Sequence, residues 1–160
     1  MRKEVAAFLD LNSNCAKNII KASNWYHRDT NFWRFMAFFK HRQNRKKYNI
    51  EIYPECKLGK IKIPHSVGIV IGRTAQIGDN TTIMPNVVVG AKYSPFETNP
   101  NDRRHAIVGE NCMLGAGCKI IGNIVIGNNV TIGANAIVTK NVPDNCIVYG
   151  VNNIIEKNKK

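Results

Sequence analysis

Two histidines stand where an imidazole could do chemistry. His65 lies in KIPHSVGIVIG, six residues before Ile71, at a repeat position that elsewhere holds an aliphatic side chain. His105 closes the one stretch that interrupts the repeat. An imidazole takes up and returns protons near neutral pH, so either could serve as a general base. The structural alternatives are a packed or edge histidine at position 65 and an exposed loop histidine at position 105. Five cysteines, an odd number with no paired spacing, fit a reducing compartment. Cys112 and Cys118 hold the same small-residue position in successive blocks and read as packed thiols. No metal is expected, because no ligand set accompanies them. Cys15, Cys56 and Cys146 are isolated and carry no assignment.

What must position these side chains is a repeat. From Gly68 the chain reads GIVIGR, TAQIGD, NTTIMP, NVVVGA, and from His105 it reads HAIVGE, NCMLGA, GCKIIG, NIVIGN, NVTIGA, NAIVTK. The fourth position of every block is aliphatic: Ile71, Ile77, Ile83, Val89, Val108, Leu114, Ile120, Ile126, Ile132 and Val138. The second position is mostly small or β-branched, and the fifth is often glycine. A fixed six-residue period marks a β-helix, each block being a short strand and a turn, with three blocks to a coil of about 18 residues. Asn80, Asn86, Asn111, Asn123, Asn128, Asn129, Asn135 and Asn141 cluster at block edges, where turns need unusual backbone angles. Val89 and Val108 are 19 residues apart where 6 would keep the phase, so about 13 residues are extruded. Extruded loops on solenoids commonly form the binding face.

The remaining composition bounds the rest. The chain has 160 residues, with 44% hydrophobic and 21% charged, which is ordinary globular composition. No apolar run approaches the roughly 20 residues that span a bilayer, and the opening MRKEVAAFLDLNSN lacks a signal-peptide core. A cytoplasmic location is expected, with no membrane span. The formal net charge of +12 is the unusual quantity, and it asks for an anionic partner. Residues 40–47, KHRQNRKK, concentrate five of the lysines and arginines. Helices are predicted over 5–20 and 31–43. Phe32, Phe35, Met36 and Phe39 have the spacing of a helix core stripe, which leaves the basic end as a solvated terminus. The predicted organisation is a mainly β protein: an N-terminal helical cap over 1–48, a parallel β-helix over 49–150 with an extruded loop 91–105, and a basic tail over 151–160.

With these motifs in hand, the stretch from Ile50 to Ile155 resembles the serine acetyltransferase family and the related sugar and capsular polysaccharide O-acetyltransferases. The family motif H-x-x-G-I-V-[IV]-G matches His65 to Gly72. The family's D-R-H loop end matches Arg104-His105, with Asp102 displaced by one inserted residue. An aspartate of the family falls on Glu51 in EIYP, and GAGAKILGN matches Gly115 to Asn123. Members of this family are left-handed parallel β-helices, so left-handedness is implied here. One departure is Pro64, where the family carries an aspartate that meets the amino group of serine.

The resemblance implies an acetyl-CoA-dependent O-acetyltransferase, acting on a hydroxyl of L-serine or of a sugar, in a homotrimer with sites between protomers. His65 would be the general base and Glu51 would orient its ring. His105 would place the acceptor or help to deprotonate it, and Arg104 and Asp102 would bind the acceptor. Gly115, Ala116, Ala134 and Lys140 would contact coenzyme A, with Arg103 and Arg104 also flanking its phosphates. Acetyl-CoA is thus the expected co-substrate and a small hydroxyl-bearing molecule the acceptor; nucleic acid is not the expected partner. Two other readings stay open. One is a non-catalytic trimeric scaffold or nucleic-acid module using the basic helix 40–47. The other is a γ-type carbonic anhydrase, which needs three histidine ligands, whereas only His65 and His105 lie in or beside the repeat and His27 and His41 lie outside it.

Overall fold

The computed structural model describes residues 2–92 and 103–157, with side chains from Asn14 onward. Helix α1 (Arg2–Tyr26) and helix α2 (Asn31–Tyr48) form a hairpin, and strands of two to four residues follow from Glu51. These strands stack into three parallel ladders, the faces of a triangular prism. The first face stacks Glu51–Ile52, Val70–Ile71, Val88–Gly90, Lys119–Ile121 and Ile137–Val138. The second stacks Lys57–Leu58, Gln76–Ile77, Ile107–Val108 and Val125–Ile126. The third stacks Thr82–Ile83, Met113–Leu114, Thr131–Ile132 and Cys146–Tyr149, and closes with antiparallel Asn153–Glu156. The fold is a left-handed parallel β-helix.

The period of six has a direct physical outcome. Ile71, Val89, Ile120 and Val138 stack on the first face, all fully buried. Burying each such side chain contributes roughly 2 kcal/mol. The small second-position residues Ala75, Val87, Ala106, Cys112, Cys118, Val130 and Ala136 fill the narrow corners, all buried. All five cysteines are buried free thiols. Burial pushes Cys118 and Cys56 up to about 12, so both are inert neutral thiols. Asn80, Asn86, Asn111, Asn129 and Asn135 take left-handed backbone at corners. Asn128 and Asn141 do otherwise: their side-chain oxygens accept N–H groups of Glu110 and Val125 from neighbouring coils.

Register shows where the prism departs from its period. Four strand pairs in the middle of the prism join residues 18 apart, such as Val70 with Val88 and Thr131 with Met113, while the first coil steps by 19 and the last by 16. Across the insertion the step becomes 31, as in Gln76 with Ile107 and Val88 with Lys119, so 13 extra residues leave at one corner without shifting any rung. A second departure corrects an expectation. The bridge between Lys62 and Thr82 spans 20 residues, which puts Ile63 beneath Ile83. His65 therefore does not fill the inward aliphatic position that the period assigned to it. The two surplus residues push the chain outward, and His65 is exposed on the corner.

The open lower edge of the first coil is closed by the helices. Cys15, Ala16, Ile19 and Tyr48 join the core formed by Ile50, Ile52 and Cys56. Polar side chains take up the edge carbonyls: His41 Nδ1–H donates to Ile52 O at 2.9 Å, and the Ser23 hydroxyl donates to Cys56 O. An unpaired strand edge is a liability, and these contacts remove it. One further expectation is overturned here. The stripe Phe32, Phe35 and Phe39 is not core: these side chains are 63%, 69% and 51% exposed. Ala37, Asn44 and Tyr48 form the inward side of α2, because a small residue and two hydrogen-bonded polar ones let the helix approach α1 and the first coil. Helical spacing identifies a stripe but not the partner that covers it.

Candidate active site

Two edges of the prism carry the chemistry-bearing residues. The first edge joins the third face to the first. A ladder of backbone hydrogen bonds runs along it: Asn86 N–H to Val67 O, Gly117 N–H to Pro85 O and Asn135 N–H to Ala116 O, each 2.8 Å. His65 sits at the lower end of this edge, exposed. Above it the corners Gly115–Ala116 and Gly133–Ala134 lie against each other. Gly115 has no room for a side chain: a Cβ there would stand 2.6 Å from Ile132 O and 2.7 Å from Ala134 N. The edge is thus a narrow strip of small residues with an imidazole at one end.

The second edge joins the first face to the second, and His105 belongs to it. Its ring lies over Gly72, where a Cβ would fall 1.9 Å from Nε2. Thr74 holds the arrangement. Its hydroxyl oxygen accepts the N–H of Arg104 at 3.0 Å and of His105 at 3.1 Å, and stands 2.8 Å from His105 Nδ1. With its acceptor capacity taken, the hydroxyl donates its proton to Nδ1, and the Thr74 N–H points at the same nitrogen. The neutral ring therefore carries its proton on Nε2. Burial, and then the Arg104 charge, hold His105 below the usual histidine range, so it is neutral at pH 7. A ring in this state offers a hydrogen bond rather than taking a proton at Nε2.

A pH dependence follows with its sign. The unfolded chain protonates this histidine near about pH 6.5, before the folded chain does. Stability should therefore fall as pH drops from there through the lowered value of His105. His105→Gln should flatten that acid limb in thermal unfolding measured at a series of pH values. Equal acid sensitivity in both proteins would remove His105 as its source.

Glu51 lies on the first face, between the two edges. Its carboxylate accepts the Tyr53 hydroxyl at 2.7 Å and stands 3.8 Å from Arg45 Nη2. Tyr53 in turn stacks on His41 and lies under the Arg73 guanidinium. The hydrogen bond to Glu51 and then burial hold the Tyr53 phenol above its ordinary range, keeping it a donor. Lys140 is exposed on the second edge, so it shares the His105 side rather than the Ala116–Ala134 strip. Asp102 lies outside the described residues, as do residues 93–101 of the extruded loop. Among the described residues, Arg103 Nη1 is buried with no hydrogen-bond partner, which leaves donor capacity beside His105. No group of three His, Cys, Asp or Glu there could hold a metal.

The bacterial transferase hexapeptide family (six repeats) matches residues 105–140. Serine acetyltransferase from Staphylococcus aureus is 42% identical over 103 residues, which are 64% of this chain and 46% of that protein. Soybean serine acetyltransferase complexed with serine superposes with a TM-score of 0.75 at 28% identity, covering 88% of this chain and 56% of that one. The chain carries the hexapeptide repeat and is similar in sequence and fold to serine acetyltransferases. The serine acetyltransferase from Brucella abortus shares the fold, with a TM-score of 0.76 at 24% identity over 97% of this chain and 70% of that one. The chain spans about half the length of the curated relatives it matches. Thr74, Tyr53 and Gly72 escape a reading of the sequence alone. Thr74 meets His105 across 31 residues of chain, and no residue type announces such a contact.

Proposed function

We propose that this protein is an acetyl-CoA-dependent O-acetyltransferase whose acceptor is a hydroxyl of L-serine or of a sugar. The observation that supports it best is the first edge: an exposed imidazole at the foot of a strip made of Gly115, Ala116 and Ala134. Small residues let a thin pantetheine arm lie close to backbone, which carries the thioester toward His65. The likeness to serine acetyltransferases from a bacterium and a plant points to the same chemistry.

In this reading His65 removes the acceptor hydroxyl proton as the oxygen attacks the thioester carbonyl. Backbone N–H groups at a glycine corner stabilise the oxyanion. The C–O bond forms, the C–S bond breaks, and the imidazolium returns its proton to the departing thiolate. Glu51, held by Tyr53 and Arg45, supplies negative charge on the coil below. His105 donates through Nε2–H to place the acceptor, Arg104 with Arg103 beside it binds an acidic group, and Asp102 contacts the acceptor as well.

Within one chain His65 and His105 occupy different edges. The extended segment Gly68–Gly72 between those edges spans roughly 13 Å. A neighbouring copy that sets its second edge against the first edge of this one brings the two histidines to one cleft, and Lys140 to the coenzyme strip. The reading accordingly takes a homotrimer with three shared sites, working in the cytoplasm. A thiol-release assay with acetyl-CoA against L-serine and a panel of nucleotide sugars tests the reading. Release of free thiol that depends on one acceptor class is expected, and none with any hydroxyl acceptor would overturn it.

A further inference from the structure

We infer that the outward side of α2 is a docking face that seats the helical hairpin on an anionic lipid surface. Phe32, Phe35, Phe38 and Phe39 project from the first half of that side, between 42% and 69% exposed. Arg42 and Lys46 continue the same side toward the helix end, both exposed. Aromatic and basic side chains together on the free side of a helix suit the boundary between headgroups and acyl chains. No described helix is long and apolar enough to cross a membrane, so the contact lies along the surface.

Charge selects the occupant. Residues 1–48 hold eleven basic and three acidic residues, a net +8 out of the chain's +12. Beside the aromatic side, a cleft of about 420 Å³ is lined by Lys40, Lys46 and Lys47 with Asn18, Gln43 and Tyr48. Three lysines contribute to the wall of this hollow, which sets positive charge close to the aromatic side. The aromatic side is also bordered by cations held on rings, with the Arg28 guanidinium 4.4 Å from the Trp33 centroid and Arg34 at 5.9 Å from Tyr26. A second copy meeting the first through this side would set +8 against +8. A nucleic acid would satisfy the charge but would leave four phenylalanines without the apolar layer they fit. An anionic bilayer satisfies both, and basic residues near such a surface each add to the attraction. This inference stands independently of the acetyl-transfer reading.

The test is sedimentation of the full chain with phosphatidylcholine vesicles, with and without phosphatidylglycerol. Co-sedimentation with the phosphatidylglycerol vesicles alone is expected, weakening as salt rises. Phe32→Ser/Phe35→Ser/Phe39→Ser should lower the partition coefficient about tenfold or more, and Arg42→Glu/Lys46→Glu should do likewise. Both variants alter exposed positions and should keep the wild-type melting temperature. If the serine variant loses its fold, the charge variant decides. Wild-type protein that stays in solution, or variants that bind as wild type does, would overturn the proposal. So would a serine variant of smaller oligomeric mass, which assigns the face to a second copy, or an oligonucleotide that binds this face more tightly than the vesicles.

Discussion

His65→Ala is expected to reduce acetyl transfer from acetyl-CoA about 100-fold or more, the scale of losing a general base. The expectation rests on position. His65 is exposed on a corner that two surplus residues push outward, while Ile63 holds the core site beneath Ile83. Truncating the ring opens no cavity, so the melting temperature and oligomeric mass should not change. Undiminished turnover would sink the assignment of His65. An inactive but unfolded variant would contradict the exposed placement instead.

Gly72→Ala should be the most damaging single methyl on the second edge. Its Cβ would stand 1.9 Å from His105 Nε2 and 2.1 Å from Cδ2. The ring cannot simply swing away, because it is only 8% exposed and is tied to Thr74 at Nδ1. Overpacking of this kind costs about 1–3 kcal/mol, or roughly 2–12 °C in melting temperature for a chain of this size. Activity should fall with it, since the displaced ring no longer presents Nε2–H. The diagnostic measurement is the double variant Gly72→Ala/His105→Ala. Removing the ring relieves the clash, so the double variant should melt above Gly72→Ala alone although it carries one more substitution. Additive destabilisation would show that the ring does not lie over Gly72.

Much of the prism was legible because its signal is repeated. Ten aliphatic residues in one phase define the inward column, and the size of the insertion is simple arithmetic on that phase; the rung registers reproduce it. Single events were not legible. The two surplus residues at the His65 corner leave no mark in composition, and the Lys62–Thr82 bridge reveals them. The Phe32–Phe35–Phe39 stripe has core spacing, yet the face that gets covered was decided by Ala37, Asn44 and Tyr48. The same holds for the cap. Ser23 and His41 are unremarkable in the chain and become essential only because strand carbonyls at the first coil lack a neighbour below. Local pattern fixes what repeats, whereas contacts between elements decide which side of a helix or corner is used.

The insertion has a wider meaning. Thirteen residues leave the second edge and return with every rung above and below still aligned, and Gly122 N–H still reaches Gly90 O at 2.9 Å across the gap. The corner behaves as an expansion joint. The ladder closes under it regardless of what the joint carries, so the loop can be lengthened, shortened or rewritten without renegotiating the stack. Exchanging residues 91–104 for another segment should therefore leave the column from Ile71 to Val138 in place.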